Sequence, residues 1–371
     1  MRIIVVHSHL RWDFVWQRPQ QVLSRLARRA HVLFVEEPMV DAGRTRPSFA
    51  HTAPVDGVTR IVPHVPPNLR ENECAAVVVR DHVRRQLRDL PPHARVVQWF
   101  YTPMPAPIML GAFDEDAVVY DCMDELSAFR YAPPSLPARE RLLLSHADVV
   151  FTGGPRLHAA KSGQHPNVHC FGCGVDTAHL SRALDEAVAI PTEIASLPRP
   201  VLGYVGVIDE RLDYALLARL AEARAWSVAM VGPVVKVDPS ELPQAPNLHW
   251  FGSRPYEALP AYLKGFDVAL MPFALNEATT FINPTKTLEY MAAGRPIVST
   301  PIADVVRQFA SIVRIAPTAD DFIDQCERPV DRHRIQRGIE SAATRSWDVT
   351  VDRMEALVDA CLAGPVARAA G

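Results

Sequence analysis

The chain is short of lysine. Of 39 basic residues in 371, only Lys161, Lys236, Lys264 and Lys286 are lysines. A coding bias toward Arg and Ala is the simplest account, yet it makes each lysine worth locating. Glycine is also sparse, 17 residues against 33 prolines, which implies many stiff loops. Six cysteines in so long a chain do not make a disulfide framework. No apolar run approaches the ~18 residues of a membrane span. The run after Met1 stops at His7, short of the ~7–15-residue core of a signal peptide, so the expected place of action is the cytoplasm. A net charge of -3 lacks the basic footprint of a nucleic-acid binder, and no nucleic-acid partner is expected. P-loop, nucleophile-elbow and H-E-x-x-H patterns are missing, which removes the motif case for those chemistries.

What is present is globular. The composition is 48% hydrophobic and 22% charged, and the length suggests two domains. Short β-branched runs (Ile3–Val6, Val32–Val35, Thr59–Val62, Arg95–Tyr101, Ala117–Asp121, Asp148–Thr152) alternate with amphipathic segments such as Pro19–Arg29, Ala75–Leu90 and Leu136–Ser145. That alternation predicts a parallel sheet wound on both faces. After Gly172-Cys-Gly174-Val175-Asp176 and Pro191, Pro198 and Pro200, the pattern restarts with strands at Val201–Val205, Ser227–Val231, Asn247–Phe251, Asp267–Met271 and Pro296–Ser299. The expected fold class is therefore α/β with two doubly wound halves. The domains are 1–185 and 198–345, and 346–371 forms a final helical segment. Residues 1–185 carry 21 Lys and Arg against 19 Asp and Glu, and the remainder carries 18 against 23.

Chemistry concentrates between Asp267 and Pro301. The stretch reads as strand, long loop, helix and strand, with Asn283 as N-cap, Pro284 at the first helical position and Gly294 at the stop. In such a unit the loop lies at the carboxyl end of the strands, where open α/β sheets bind ligands. The helix start favours an anion, Lys286 adds a full positive charge, and Glu289 lies on the same face for neutral hydroxyls such as a ribose. Cys170-Phe-Gly-Cys173 is read as incidental. Asp114-Glu-Asp116 is read as a solvated loop at the wrong end of the sheet, so no metal site is expected.

Leu288-Glu289-Tyr290-Met-Ala-Ala-Gly294-Arg-Pro296-Ile-Val-Ser-Thr300 resembles the carboxyl-domain signature of GT-B glycosyltransferases of the family 4, group 1 type. The resemblance implies two Rossmann-like domains facing a cleft, the carboxyl one binding a nucleotide-diphosphate sugar and the amino one an acceptor. It assigns the ribose to Glu289 and sugar or phosphate contacts to Asn283, Thr285 and Lys286. Gly203-Tyr-Val-Gly206 through Arg211 resembles the loop beside the diphosphate, so Gly206 and Arg211 join the donor set. Phe251-Gly-Ser-Arg254 resembles the loop beside the base, which adds Arg254. The first loop, Trp12-Asp-Phe-Val-Trp16-Gln-Arg18-Pro-Gln20, resembles a bacterial surface-polysaccharide subgroup of the capsule and teichuronic-acid type. It nominates Trp12, Trp16 and Arg18 as acceptor contacts. The chain departs from the family where a donor-sugar Glu is common, at Phe281, with Glu277 four residues earlier.

Three residues at strand ends are nominated for acceptor orientation or proton transfer: Asp124, Asp121 and His9. The expected activity is metal-independent transfer of a hexose from a UDP- or GDP-linked donor to a glycan or lipid-linked acceptor, with no cofactor. A lipid-linked acceptor would call for peripheral membrane contact. The alternatives are a nucleotide-sugar 2-epimerase of the same fold and a non-catalytic subunit of a polysaccharide assembly complex.

Overall fold

A computed structural model describes residues 1–69, 73–89, 91 and 93–364. Leu90, at the end of an expected helix, and 365–371, the tail of the expected final segment, lie outside the described residues.

The amino-terminal sheet has nine strands: β1 (Arg2–Ser8), β2 (His31–Glu36), β3 (Met39–Val40), β4 (Ser48–Thr52), β5 (Val58–Val65), β6 (Arg95–Phe100), β7 (Ala117–Cys122), β8 (Val149–Thr152) and β9 (Val168–Cys170). Their order is β3-β5-β2-β1-β6-β7-β8-β9, and β4 pairs antiparallel with β5 at one edge. All other pairs are parallel, as continuous β-branched runs require when both faces are covered. The second sheet is fully parallel. It comprises β10 (Val201–Val205), β11 (Ser227–Val231), β12 (Leu248–Gly252), β13 (Val268–Met271), β14 (Ile297–Ser299) and β15 (Arg314–Ile315), in the order β12-β11-β10-β13-β14-β15. Strands β1, β7, β10 and β13 end at the space between the two sheets' domains, so the loops that follow them face one another.

The helix predicted over Pro284–Ala293 is shorter than expected. It runs from Lys286 to Ala292, with Thr285 at the cap position and no side-chain cap bond. Asn283 does not cap it, because its Nδ2 donates instead to the Gly153 carbonyl of the other domain at 3.2 Å. The stop is where the pattern placed it: Gly294 has φ +63°, and the Arg295 N–H returns to the Tyr290 carbonyl at 3.0 Å.

The final helix, Trp347–Leu362, packs on the amino-terminal domain. Trp347, Val351, Met354 and Val358 form one stripe, all buried against Ile4, Val6, Val22 and Leu26. Its acidic flank meets the basic flank of the first helix, Arg18–Leu26, and its neighbours. Arg28 pairs with Asp348 at 3.1 Å, Arg29 with Asp352 and Glu355 at 2.7 Å, and Arg2 with Glu355 at 2.9 Å. The exposed pairs, Arg28–Asp348 and Arg29–Asp352, are worth only about 0–1 kcal/mol each, so the apolar stripe and the buried Glu355 hold the helix and the outer charges set the register. No helix among the described residues is long and apolar enough to cross a membrane.

Candidate active site

A cleft of about 780 Å³ lies between the two domains. Its walls bring together eleven of the thirteen residues nominated from sequence: Trp12, Trp16, Arg18, Asp124, Gly206, Arg211, Arg254, Asn283, Thr285, Lys286 and Glu289. His9 and Asp121 are not among its lining.

The carboxyl-domain wall carries charges without partners. Lys286 projects from the start of the short helix and forms no ion pair or hydrogen bond among the described residues. Its Nζ instead lies 5.3 Å from the Tyr204 ring centre and 6.0 Å from that of Phe273. Gly206 makes this placement possible. Its φ is +145°, and a Cβ there would meet the Lys286 Cε at 2.1 Å. Burial lowers the Lys286 pKa, and the neighbouring Glu289 carboxylate works against that. Glu289 shifts the other way: burial raises its pKa, while Lys286 and the Thr285 hydroxyl pull it down. An ammonium and a carboxylate one turn apart, both desolvated and not bonded to each other, await a ligand with both negative and neutral groups. Behind them, Tyr290 accepts the Val205 N–H at 2.9 Å and ties the helix to the end of β10.

The other donor-side residues are already held by neighbouring groups. Arg211 is bidentate on Asp209, with contacts of 2.7–3.1 Å, and still faces the cleft. Arg254 bonds Glu193 at 2.9 Å and the Tyr262 hydroxyl at 2.5 Å. Asn283 is gripped across the domain boundary. A Cβ on Gly154 would meet its Cβ at 2.8 Å, and the Cys173 thiol donates to its carbonyl at 2.9 Å.

On the amino-domain wall the sequence reading needs correction at several points. Asp121 is fully buried and does not reach the cleft, because Arg18 forks onto it at 2.7 and 3.0 Å. The pair explains both residues: Arg18 also donates to the Phe171 carbonyl at 2.7 Å and is only 3% exposed. Its guanidinium therefore braces the wall and is not free to grip an acceptor. Trp12 is 4% exposed and packs edge-on against Phe34, 5.0 Å between centres, as a core residue. Trp16 is half-buried, and its indole stacks on Tyr256 of the opposite domain at 5.8 Å and 27°. Tyr256 also accepts a hydrogen bond from Gln21 at 3.1 Å and stacks on His179, so it joins the two domains. Nothing in the sequence around Tyr256 marks this role. His9 is half-buried and does not line the cleft; its Nδ1 is sealed and unpartnered, and burial together with Lys236 lowers its pKa to about 4.

Two amino-domain carboxylates line the cleft, Asp124 and Asp13, and Asp13 is exposed and paired with Arg60. Burial between the domains pushes the Asp124 pKa up to about 6, against the pull of Arg211 and Arg18. A carboxyl poised there can take a proton near neutrality. Its loop is fixed from below, where Lys161 bonds Glu125 at 2.8 Å and Glu140 at 2.7 Å.

Phe281 and Glu277 supply no carboxylate to the cleft. Phe281 packs on the amino-domain core under Arg156, 5.8 Å from its ring centre, and Glu277 is exposed on a separate turn. The position where the family often has an acid is here part of the domain seam.

Residues 199–331 match the family described as Glycosyl transferases group 1. A putative teichuronic acid biosynthesis glycosyltransferase, TuaH of Bacillus subtilis strain 168, is 25% identical over 280 residues, 67% of this chain and 68% of that protein. Among solved structures, sucrose-phosphate synthase from Thermosynechococcus elongatus matches with a TM-score of 0.71 at 15% identity, covering 98% of this chain and 100% of its own. Anabaena HepE in complex with UDP-glucose matches with 0.68 at 11%, covering 97% and 100%. At these identities the structural likeness shows the fold, two parallel-sheet α/β domains of the GT-B arrangement.

Proposed function

We propose that this chain, a GT-B glycosyltransferase with a group 1 domain, moves a hexose from a nucleotide-diphosphate sugar to a glycan or lipid-linked acceptor in bacterial surface-polysaccharide synthesis. The observation that carries the reading is the unpaired Lys286 and Glu289 on one desolvated helix start in the interdomain cleft. Lys286 and Arg211 stabilise the diphosphate as negative charge builds on it. Glu289 accepts hydrogen bonds from the ribose hydroxyls. Asn283 and Thr285 line the path between sugar and phosphate, Gly206 leaves room for the phosphates, and Arg254 borders the base.

Asp124 faces this group from the other domain and serves as the base. As the acceptor oxygen bonds to the anomeric carbon, its proton passes to the Asp124 carboxylate. The bond from that carbon to the diphosphate oxygen breaks, and its electron pair leaves with the diphosphate. A UDP-linked donor is the first choice to test, in the cytoplasm, with the acceptor presented at the inner face of the membrane.

The test is incubation with UDP- and GDP-hexoses, each with and without a lipid-linked acceptor. Acceptor-dependent release of nucleoside diphosphate is the expected result. Conversion of the sugar without acceptor, or donor binding with no turnover on any acceptor, would sink the proposal.

A further inference from the structure

A second cavity, of about 270 Å³, opens at the hinge where the chain crosses between domains. It shares a wall with the cleft, since Cys173, Asn283 and Pro284 line both. Its charged lining consists of two guanidinium groups, Arg345 and Arg353, and contains no carboxylate. This differs from the cleft, where Arg18, Arg211 and Arg254 each have a carboxylate of their own.

Both hinge arginines lie on aromatic rings of the cavity wall. The Cζ of Arg345 is 5.3 Å from the Phe309 ring centre, and that of Arg353 is 5.3 Å from the Phe171 ring centre. Arg345 uses Nη1 to hold the Ser341 carbonyl at 2.9 Å, and its Nε and Nη2 have no partner among the described residues. Arg353 forms no hydrogen bond or ion pair among them. Gln308 adds a third donor: its Nε2 is sealed from solvent and unpartnered, although an amide nitrogen has two hydrogens to place. Stacking on a ring leaves the N–H edge of a guanidinium free, and that edge matches the oxygens of a phosphate. Two positive charges with no carboxylate in the lining match a dianion, and the nearby carboxylate of Asp304 is buried behind the wall.

We propose that this hinge cavity is a second ligand site that takes a phosphate-bearing anion, either inorganic phosphate or the phosphoryl group of a sugar phosphate. Its shared wall is the loop that precedes Lys286, so an occupant there abuts the donor side from behind. No part of this depends on sugar transfer, and the proposed function can fail while the site stands.

The experiment is calorimetric titration of the full-length chain at fixed ionic strength, with inorganic phosphate in one arm and a hexose 6-phosphate in the other. The wild-type chain and Lys286→Ala should bind phosphate equally, which separates the hinge from the cleft. Arg345→Gln/Arg353→Gln should bind it about tenfold or more weakly. Tighter binding of the hexose 6-phosphate assigns a sugar phosphate, and equal binding assigns the phosphoryl group alone. If the double variant does not fold, as judged by circular dichroism, Gln308→Leu should still weaken binding about threefold or more. Absence of phosphate binding to the wild-type chain overturns the proposal. So does unchanged affinity in the folded double variant or in Gln308→Leu, or loss of binding in Lys286→Ala.

Discussion

The two walls of the cleft both pair their arginines and differ in what else they leave facing the cleft. On the amino-domain wall, Arg18 is locked to Asp121 and the tryptophans are packed into the core or onto the facing domain. On the carboxyl-domain wall, Lys286 and Glu289 stand desolvated and unpaired. A buried ion pair is already satisfied and can only hold a shape. An unpaired buried charge costs stability until a ligand arrives, so it marks where binding energy is to be found. By this measure the carboxyl wall is the proposed binding surface and the amino wall its frame, with Asp124 as the proposed base.

The strongest way to break this comparison is at Asp124. Asp124→Asn should lower kcat/KM by about 10²–10⁴-fold, the usual worth of a positioned base. In the wild-type chain kcat/KM should climb with pH as the carboxyl loses its proton, and level off above about 6. The pH–rate profile of Asp124→Asn should lack that limb; if it survives, another group is the base.

Next in size is Asp121→Ala, which leaves the Arg18 charge buried alone. Thermal and urea unfolding should show a loss of about 3–5 kcal/mol. A variant of native stability with lost turnover would mean that Asp121 acts in the chemistry and the frame reading is wrong. Lys286→Ala should behave in the reverse manner. Folding should hold, while kcat/KM falls by about 10²–10³-fold through lost charge stabilisation. Glu289→Ala should raise the donor dissociation constant by about tenfold, with little change in kcat once donor saturates. An unchanged donor affinity would remove the ribose assignment. The smallest effect belongs to Trp16→Leu. It should cost about 0.5–1.5 kcal/mol through the lost stack on Tyr256, visible as a shift in domain closure by small-angle scattering and a modest rise in KM.

Much of the fold was legible because long parallel strands leave continuous apolar runs. Strands β10 and β11 lie at the residues the pattern named, and Gly294 stops its helix where a left-handed residue is needed. Short edge elements left no such trace: β3 has two exposed residues, and β4 is mostly exposed. The shared cleft placement of Asn283, Thr285, Lys286 and Glu289 was legible because they fall in one short stretch of chain before and on a single helix. The amino wall was not, because a strand-end Asp looks the same in sequence whether it faces solvent or an arginine 103 positions away. Asn283 misled for a similar reason. Cap chemistry is local, and the Gly153 carbonyl that takes its side chain comes from the other domain.

The placement of Trp347–Leu362 bears on how the chain is made. One layer of the core over β1 is completed by Trp347, Val351, Met354 and Val358, residues synthesised after both sheets. The second sheet needs nothing beyond Ile315 to complete its strands. The carboxyl-domain core itself runs on through Phe322 and Ala342, so both domains depend on chain made after the last strand of the second sheet. Stopping translation just before Trp347 would leave the amino-domain sheet with an open apolar face, although every one of its strands had already been made.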